Sequence, residues 1–122
     1  MEKDKHIGKE QLLGQLKVGL AFKKLMEENE RLKTEGRGKP TLITSLGQLS
    51  SAADLRKATL SDLFTGNSNP KISTINVVLS ALGKTFTDFA RYMDAITESE
   101  AWNYHKELEK ARTVRNRRGK KP

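Results

Sequence analysis

The middle of the chain combines short apolar stripes with residues that end helices, and this pattern restricts it to a set of short packed helices. In the segment 57–64, two leucines recur at a spacing of three, and Gly66 follows. In the segment 72–82, apolar residues recur at spacings of three and four, and Gly83 follows. Glycine just beyond an apolar stripe is typical of a helix C-terminus, because it adopts the left-handed conformation easily. Strand signals are scarce throughout, so we predict an all-α fold.

Six helical segments are predicted from these periodicities and from start and stop signals. They cover about 9–33, 42–53, 57–64, 72–82, a segment that begins after Thr85, and 101–112. We expect Ile72 and Phe86 to join the core, because each lies on the apolar stripe of its segment. Gly14 and Gly19 each weaken the first helix by about 1 kcal/mol relative to alanine. From Thr113 onward, the composition predicts a disordered basic tail.

The bulk properties favour a polyanion as the partner. A chain of 122 residues has room for one domain with extensions, and it contains no apolar run long enough to cross a membrane. The formal net charge is +8, and seven basic residues with no acidic one follow Glu109. Lysine and arginine that neutralise phosphates release condensed counterions, which favours nucleic acid. The alternative is a solvated tail that only aids solubility. The absence of cysteine fits a cytoplasmic protein.

Two of the predicted helices, 42–53 and 57–64, are separated by a short turn that contains Asp54. Such a turn needs a residue that tolerates the left-handed conformation, and aspartate does so better than most. Two short helices joined in this way present the second helix to the major groove of DNA. The outward positions of that second helix, with the residue before it, are Arg56, Lys57, Ala58, Ser61, Asp62 and Thr65.

This region resembles the lambda-repressor-like, or xenobiotic-response-element, family of helix-turn-helix proteins. The resemblance covers about 42–90 and includes the helix-ending Gly66, Pro70 and the sequence Ala-Leu-Gly that ends at Gly83. It is also similar to antitoxins of addiction modules. The resemblance implies base-edge contacts from Lys57, Ala58 and Asp62. It implies phosphate contacts from Ser45, Arg56, Thr65 and Asn67.

Three parts of the chain are therefore expected. The segment 1–40 is a long helix and loop that offers a dimer contact, 41–96 is the helix-turn-helix domain, and 97–122 is a helix with the basic tail. We expect the tail to contact DNA without sequence preference. Its contributing residues are Arg112, Arg115, Arg117, Arg118, Lys120 and Lys121.

The expected function is sequence-specific regulation of transcription, with a homodimer repressing by binding double-stranded DNA. An alternative is an antitoxin that binds a toxin protein and represses its own operon. A third hypothesis is a helix-turn-helix fold whose exposed helix binds only protein. We expect no enzyme activity, no cofactor, no membrane partner and no metal site, since His6 and His105 are far apart and lack neighbouring ligands.

Overall fold

The computed structural model of the protein describes residues 7–119, with side chains described through residue 115. Within this range the fold is all-α, with six helices and no strand, which confirms the predicted class. The helices are α1 (Lys9–Thr34), α2 (Leu46–Ala53), α3 (Lys57–Phe64), α4 (Ile72–Leu82), α5 (Phe86–Ala95) and α6 (Glu98–Gly119). None of these helices combines the length and apolarity that a membrane-spanning segment requires.

Helix α1 is the support on which most of the other helices pack. Helices α3, α4, α5 and α6 all contact it, whereas α2 packs against α3 and α4. Phe22 of α1 is fully buried at the centre of this arrangement. Its ring centroid lies 5.8 Å from that of Phe64 in α3 and 4.9 Å from that of Phe89 in α5. One aromatic side chain of α1 thus links three helices.

The contact between α1 and the end of α3 is so close that it leaves no room for a side chain at Gly19. A β-carbon built on Gly19 would lie 2.6 Å from the Phe64 carbonyl oxygen and 2.8 Å from that of Leu63. These distances are far below van der Waals contact, and the atoms approached belong to the backbone. The glycine that weakens α1 as an isolated helix is therefore what allows α1 to pack against α3.

The carbonyl groups at the end of α3 are hydrogen-bonded by side chains of α1 and α6. The Gln15 side-chain amide donates to the Gly66 carbonyl oxygen at 2.9 Å, in a buried position. The Tyr104 hydroxyl of α6 donates to the Phe64 carbonyl oxygen. Burial raises the pKa of Tyr104 to about 12, so this hydroxyl keeps its proton at neutral pH. Carbonyls at a buried helix end need such partners, and here they tie α3 to both long helices.

A second polar cluster joins α1 to the region around α5. The Lys84 ammonium pairs with Glu28 Oε1 at 2.5 Å, and the Tyr92 hydroxyl donates to Glu28 Oε2 at 3.2 Å. The hydrogen bond from Lys84 holds the pKa of Glu28 below its usual value. Beside it, fully buried Asn29 donates to the carbonyl oxygens of Ile43 and Leu82.

Two helix bounds differ from those predicted. Helix α2 starts at Leu46 rather than at 42, because Ser45 is extended and its hydroxyl accepts from the Gln48 amide as an N-cap. Helix α6 continues to Gly119, so the described part of the expected disordered tail, 113–119, is helical. No glycine or proline interrupts it before that point, and basic residues stabilise a helix C-terminus.

Two residues expected in the core are exposed. Ile72 is 70% exposed and Phe86 is 42% exposed, while later residues on the same stripes, such as Leu79 and Phe89, are buried. Both exposed residues are the first residue of their helix. At that position the chain has only begun to turn toward α1, so the apolar stripe meets the core one turn later.

Replacing Gly19 with alanine is expected to destabilise the protein by about 1–3 kcal/mol. The added methyl group would displace the backbone of α3, and this overpacking outweighs the gain of about 1 kcal/mol in helix propensity. Gly14→Ala is the matched control, since a β-carbon there would meet nothing within 4 Å. Denaturant unfolding should show a lower free energy of unfolding for Gly19→Ala and a higher or unchanged one for Gly14→Ala. Equal effects would contradict the packing described here.

Replacing Glu28 with glutamine is expected to cost about 1 kcal/mol near neutral pH, as for an ion pair close to the surface. Because the pKa of Glu28 is lower in the folded state than its usual 4.5, the carboxylate stabilises the fold above that pH. This stabilisation is lost as the pH falls through the folded-state pKa. Urea titrations at several pH values should therefore show the two proteins converging in acid. A difference independent of pH would exclude an ionic origin.

Candidate nucleic-acid interface

The turn between α2 and α3 has the conformation predicted for it. Asp54 adopts the left-handed region at φ 56° and ψ 48°, the only non-glycine residue in 7–119 with a positive φ. The Ser50 hydroxyl donates to the Leu55 carbonyl oxygen, and the Leu55 amide donates to the Ser50 carbonyl oxygen at 3.1 Å. Arg56, in extended conformation, then precedes the first residue of α3. These bonds fix the direction in which α3 leaves α2.

Helix α3 separates its buried and exposed residues cleanly. Leu60, Leu63 and Phe64 are buried. The residues that the sequence places outward all lie on the other side. Lys57, Ala58, Ser61 and Asp62 are exposed, as are Arg56 before the helix and Asn67 after it, and Thr65 is half-buried. Thr59, which was not among the expected outward residues, is exposed as well. The outward face is thus made of small and polar side chains.

The N-terminus of α2 lies at one edge of this face. A β-carbon built on Gly47 would be 3.8 Å from the Lys57 ammonium nitrogen and 4.0 Å from Ser45 Oγ. The side chains of Ser45 and Lys57 therefore both lie close to Gly47, beside the first turn of α2. A hydroxyl, an ammonium group and the free amides of a helix N-terminus all suit an anionic oxygen. Two residues predicted to bind DNA are brought together here.

The basic end of α6 lies alongside the C-terminal half of this face. A groove of about 210 Å³ separates it from α3. Ser61, Asp62, Thr65 and Asn67 line one side of this groove, and Leu108, Ala111, Arg112 and Arg115 line the other. Eight residues from two distant parts of the chain thus share one surface. The backbone of Arg117 and Arg118 continues α6, whereas Lys120 and Lys121 lie outside the described residues.

The proximity of Arg112 and Arg115 to α3 was not predicted from the sequence, although a signal for it exists. Trp102, His105 and Leu108 form the apolar stripe of α6 at spacings of three. Continuing that stripe by four and then three residues leads to Arg112 and Arg115. The helix face that packs on the core is therefore the face that carries the two arginines alongside α3.

Comparison of the chain with protein-family models, with curated proteins and with solved structures finds no match.

The conformation of Asp54 leads to an ordered series of stabilities. Asp54→Ala should lower the free energy of unfolding by about 1 kcal/mol, because a β-carbon without a hydrogen-bonding side chain is disfavoured in the left-handed region. Asp54→Gly should preserve or raise it, since glycine adopts this region without steric cost. Thermal unfolding of the three proteins gives the order. Equal stabilities of Asp54→Ala and Asp54→Gly would mean that residue 54 is not in the left-handed region.

Proposed function

We propose that the protein is a sequence-specific DNA-binding regulator of transcription, of the lambda-repressor-like helix-turn-helix kind, that docks α3 in the major groove. The observation that supports this most is the face of α3 itself. Its small and polar residues are exposed, with Lys57 at its N-terminal end and with Arg112 and Arg115 alongside its C-terminal half. A surface that combines small and polar groups with nearby cations fits base edges together with the adjacent phosphates.

Lys57 is assigned to the backbone of DNA rather than to a base. Its ammonium group lies near Ser45 and the first turn of α2, at the margin of the exposed face. A phosphate placed there receives the charge of Lys57, the Ser45 hydroxyl and the positive end of the α2 dipole. Arg56, at the start of α3, adds a further cation on the exposed side of the same turn. These contacts position the protein on the duplex.

Base reading then falls to Ala58, Ser61 and Asp62, which lie on the exposed side of α3. Alanine offers a methyl group for contact with thymine, and serine donates to or accepts from several bases. Asp62 is repelled by phosphates and accepts hydrogen bonds only, so the partner that suits it is the cytosine amino group. Thr65 and Asn67 lie at the C-terminal end of this face. In the proposed complex, the sugar–phosphate backbone of the DNA passes there.

The proposal includes a two-fold homodimer on a palindromic site and repression by occlusion of a promoter. Two copies of α3 related by a two-fold axis read half-sites one helical turn apart. Selection of bound sequences from random duplex DNA tests binding, specificity and half-site spacing together. A recovered palindrome with half-sites spaced by one turn is the expected result. Failure to enrich any sequence, with affinity independent of salt, would favour a helix that binds only protein.

Lys57→Ala is expected to weaken binding to every operator variant by a similar factor. Loss of one phosphate contact should also reduce the slope of log K against log salt concentration by about 0.9. Binding titrations on a panel of single-base operator variants measure both effects. A loss confined to one base position would instead assign Lys57 to a base edge, the role that the family resemblance implies.

A further inference from the structure

The groove between α3 and α6 is walled by donors on both sides. Arg112 and Arg115 supply two guanidinium groups from α6, while Ser61 and Asn67 supply a hydroxyl and an amide group from the region of α3. The Thr65 hydroxyl also lines the groove, but it donates to the Ser61 carbonyl oxygen at 2.7 Å. Asp62 is the one acidic residue of the lining, so the arginines leave the groove with a net positive charge. Its open, polar character suits a charged strand rather than an apolar ligand.

The α6 wall has a fixed position, because several contacts hold α6 against the bundle. Ala101 and Tyr104 are buried, and the Tyr104 hydroxyl reaches the last carbonyl of α3. Lys24 of α1 pairs with Glu100 at 2.8 Å, which ties the first turn of α6 to the middle of α1. Leu108, one turn before Arg112, packs against the core. The rotation of α6 about its axis is therefore set before its basic end is reached.

The two arginines lie one helical turn apart on the wall and are available to a ligand. Arg112 Nη1 contacts Glu109 Oε2 at 3.2 Å, in an exposed pair that leaves the other donors of the guanidinium free. Arg115 forms no ion pair with another residue in the described part of the chain, and its side chain is exposed. Guanidinium groups bind phosphate oxygens through paired hydrogen bonds of defined geometry. Two of them at a fixed spacing match successive phosphates better than a flexible tail does.

We propose that the end of this groove beside Asn67 and the two arginines holds the sugar–phosphate backbone of one DNA strand while α3 lies in the major groove, with Asp62 facing the bases rather than the phosphates. The proposal rests on the function proposed above and adds a second, fixed wall to the interface. Arg112 and Arg115 contact phosphates from the α6 side, and Thr65 and Asn67 face the same strand from the α3 side. The basic end of α6 therefore contacts particular phosphates at a fixed position relative to α3. It does not act only as a diffuse positive charge.

The chain offers a matched control for this assignment. Lys106 and Lys110 are on α6 as well, are exposed, and line a separate depression with Asn103 and Glu107. At 100° per residue they lie on the side of α6 opposite to Arg112 and Arg115. Replacing either pair with alanine removes the same net charge from the same helix. If the positive charge acts diffusely, the two double variants should lose DNA affinity equally. If the groove binds the strand, the arginine variant should lose more affinity than the lysine variant.

The experiment compares wild type, Arg112→Ala/Arg115→Ala, Lys106→Ala/Lys110→Ala and Lys57→Ala on the duplex recovered by selection. Affinity is titrated at several salt concentrations, and circular dichroism verifies that each variant retains its helices. We expect the arginine pair to lose roughly tenfold or more in affinity and one to two units of salt slope, at about 0.9 per phosphate. The lysine pair should change affinity by less than about threefold.

Each alternative outcome has a distinct meaning. Equal losses from the two pairs, or no loss from the arginine pair, would overturn the groove assignment. If Lys57→Ala still weakens binding in that case, the docking of α3 stands without the groove. If the wild-type protein shows no salt-dependent binding to any duplex, both proposals are wrong. Ethylation interference gives an independent test. Phosphates whose ethylation weakens binding of the wild-type protein, but not of the arginine variant, mark the strand in the groove.

Discussion

The position of α3 depends on the close contact between its last turn and α1 at Gly19. A helix of eight residues has little stability by itself, so its neighbours must fix it. Here the backbone of Leu63 and Phe64 lies against the backbone of α1, without an intervening side chain. The carbonyls at that end are then capped from two directions, by Gln15 of α1 and Tyr104 of α6. Packing and hydrogen bonding act at the same place, so α3 has one defined orientation.

Because of this arrangement, the exposed residues of α3 are not needed to stabilise the fold. Leu60, Leu63 and Phe64 supply the burial, and the turn at Asp54 supplies the direction. Substitutions at Ala58, Ser61 or Asp62 therefore alter chemistry at the surface with little effect on stability. Under the proposed function, such a face would allow the recognised DNA sequence to change while the fold stays the same.

The sequence predicted those features that local signals determine. The bounds of α3 and α4 follow from apolar spacing with Gly66 and Gly83 behind them, and the turn at Asp54 follows from its tolerance of the left-handed region. Features that depend on contacts with distant parts of the chain were not predicted. Gly19 was interpreted only as a weak point of α1, because spacing does not reveal that another backbone lies 2.6 Å from its missing β-carbon. The resemblance to a DNA-binding family remains a prediction.

The basic end of the chain illustrates the same limit and its consequence for the proposed interface. Composition predicted a flexible tail from Thr113 onward, yet α6 continues to Gly119, since no glycine or proline interrupts it and its earlier turns are held by Tyr104 and Leu108. Ordering an arginine during folding removes the entropy cost that a flexible arginine incurs on binding. Because α3 and α6 both pack on α1 and are joined by the hydrogen bond from Tyr104 to the Phe64 carbonyl, these contacts together set the width of the groove between them. A change in α1 near Gly19 would therefore alter the stability of the protein together with the position of α3 beside the basic end of α6.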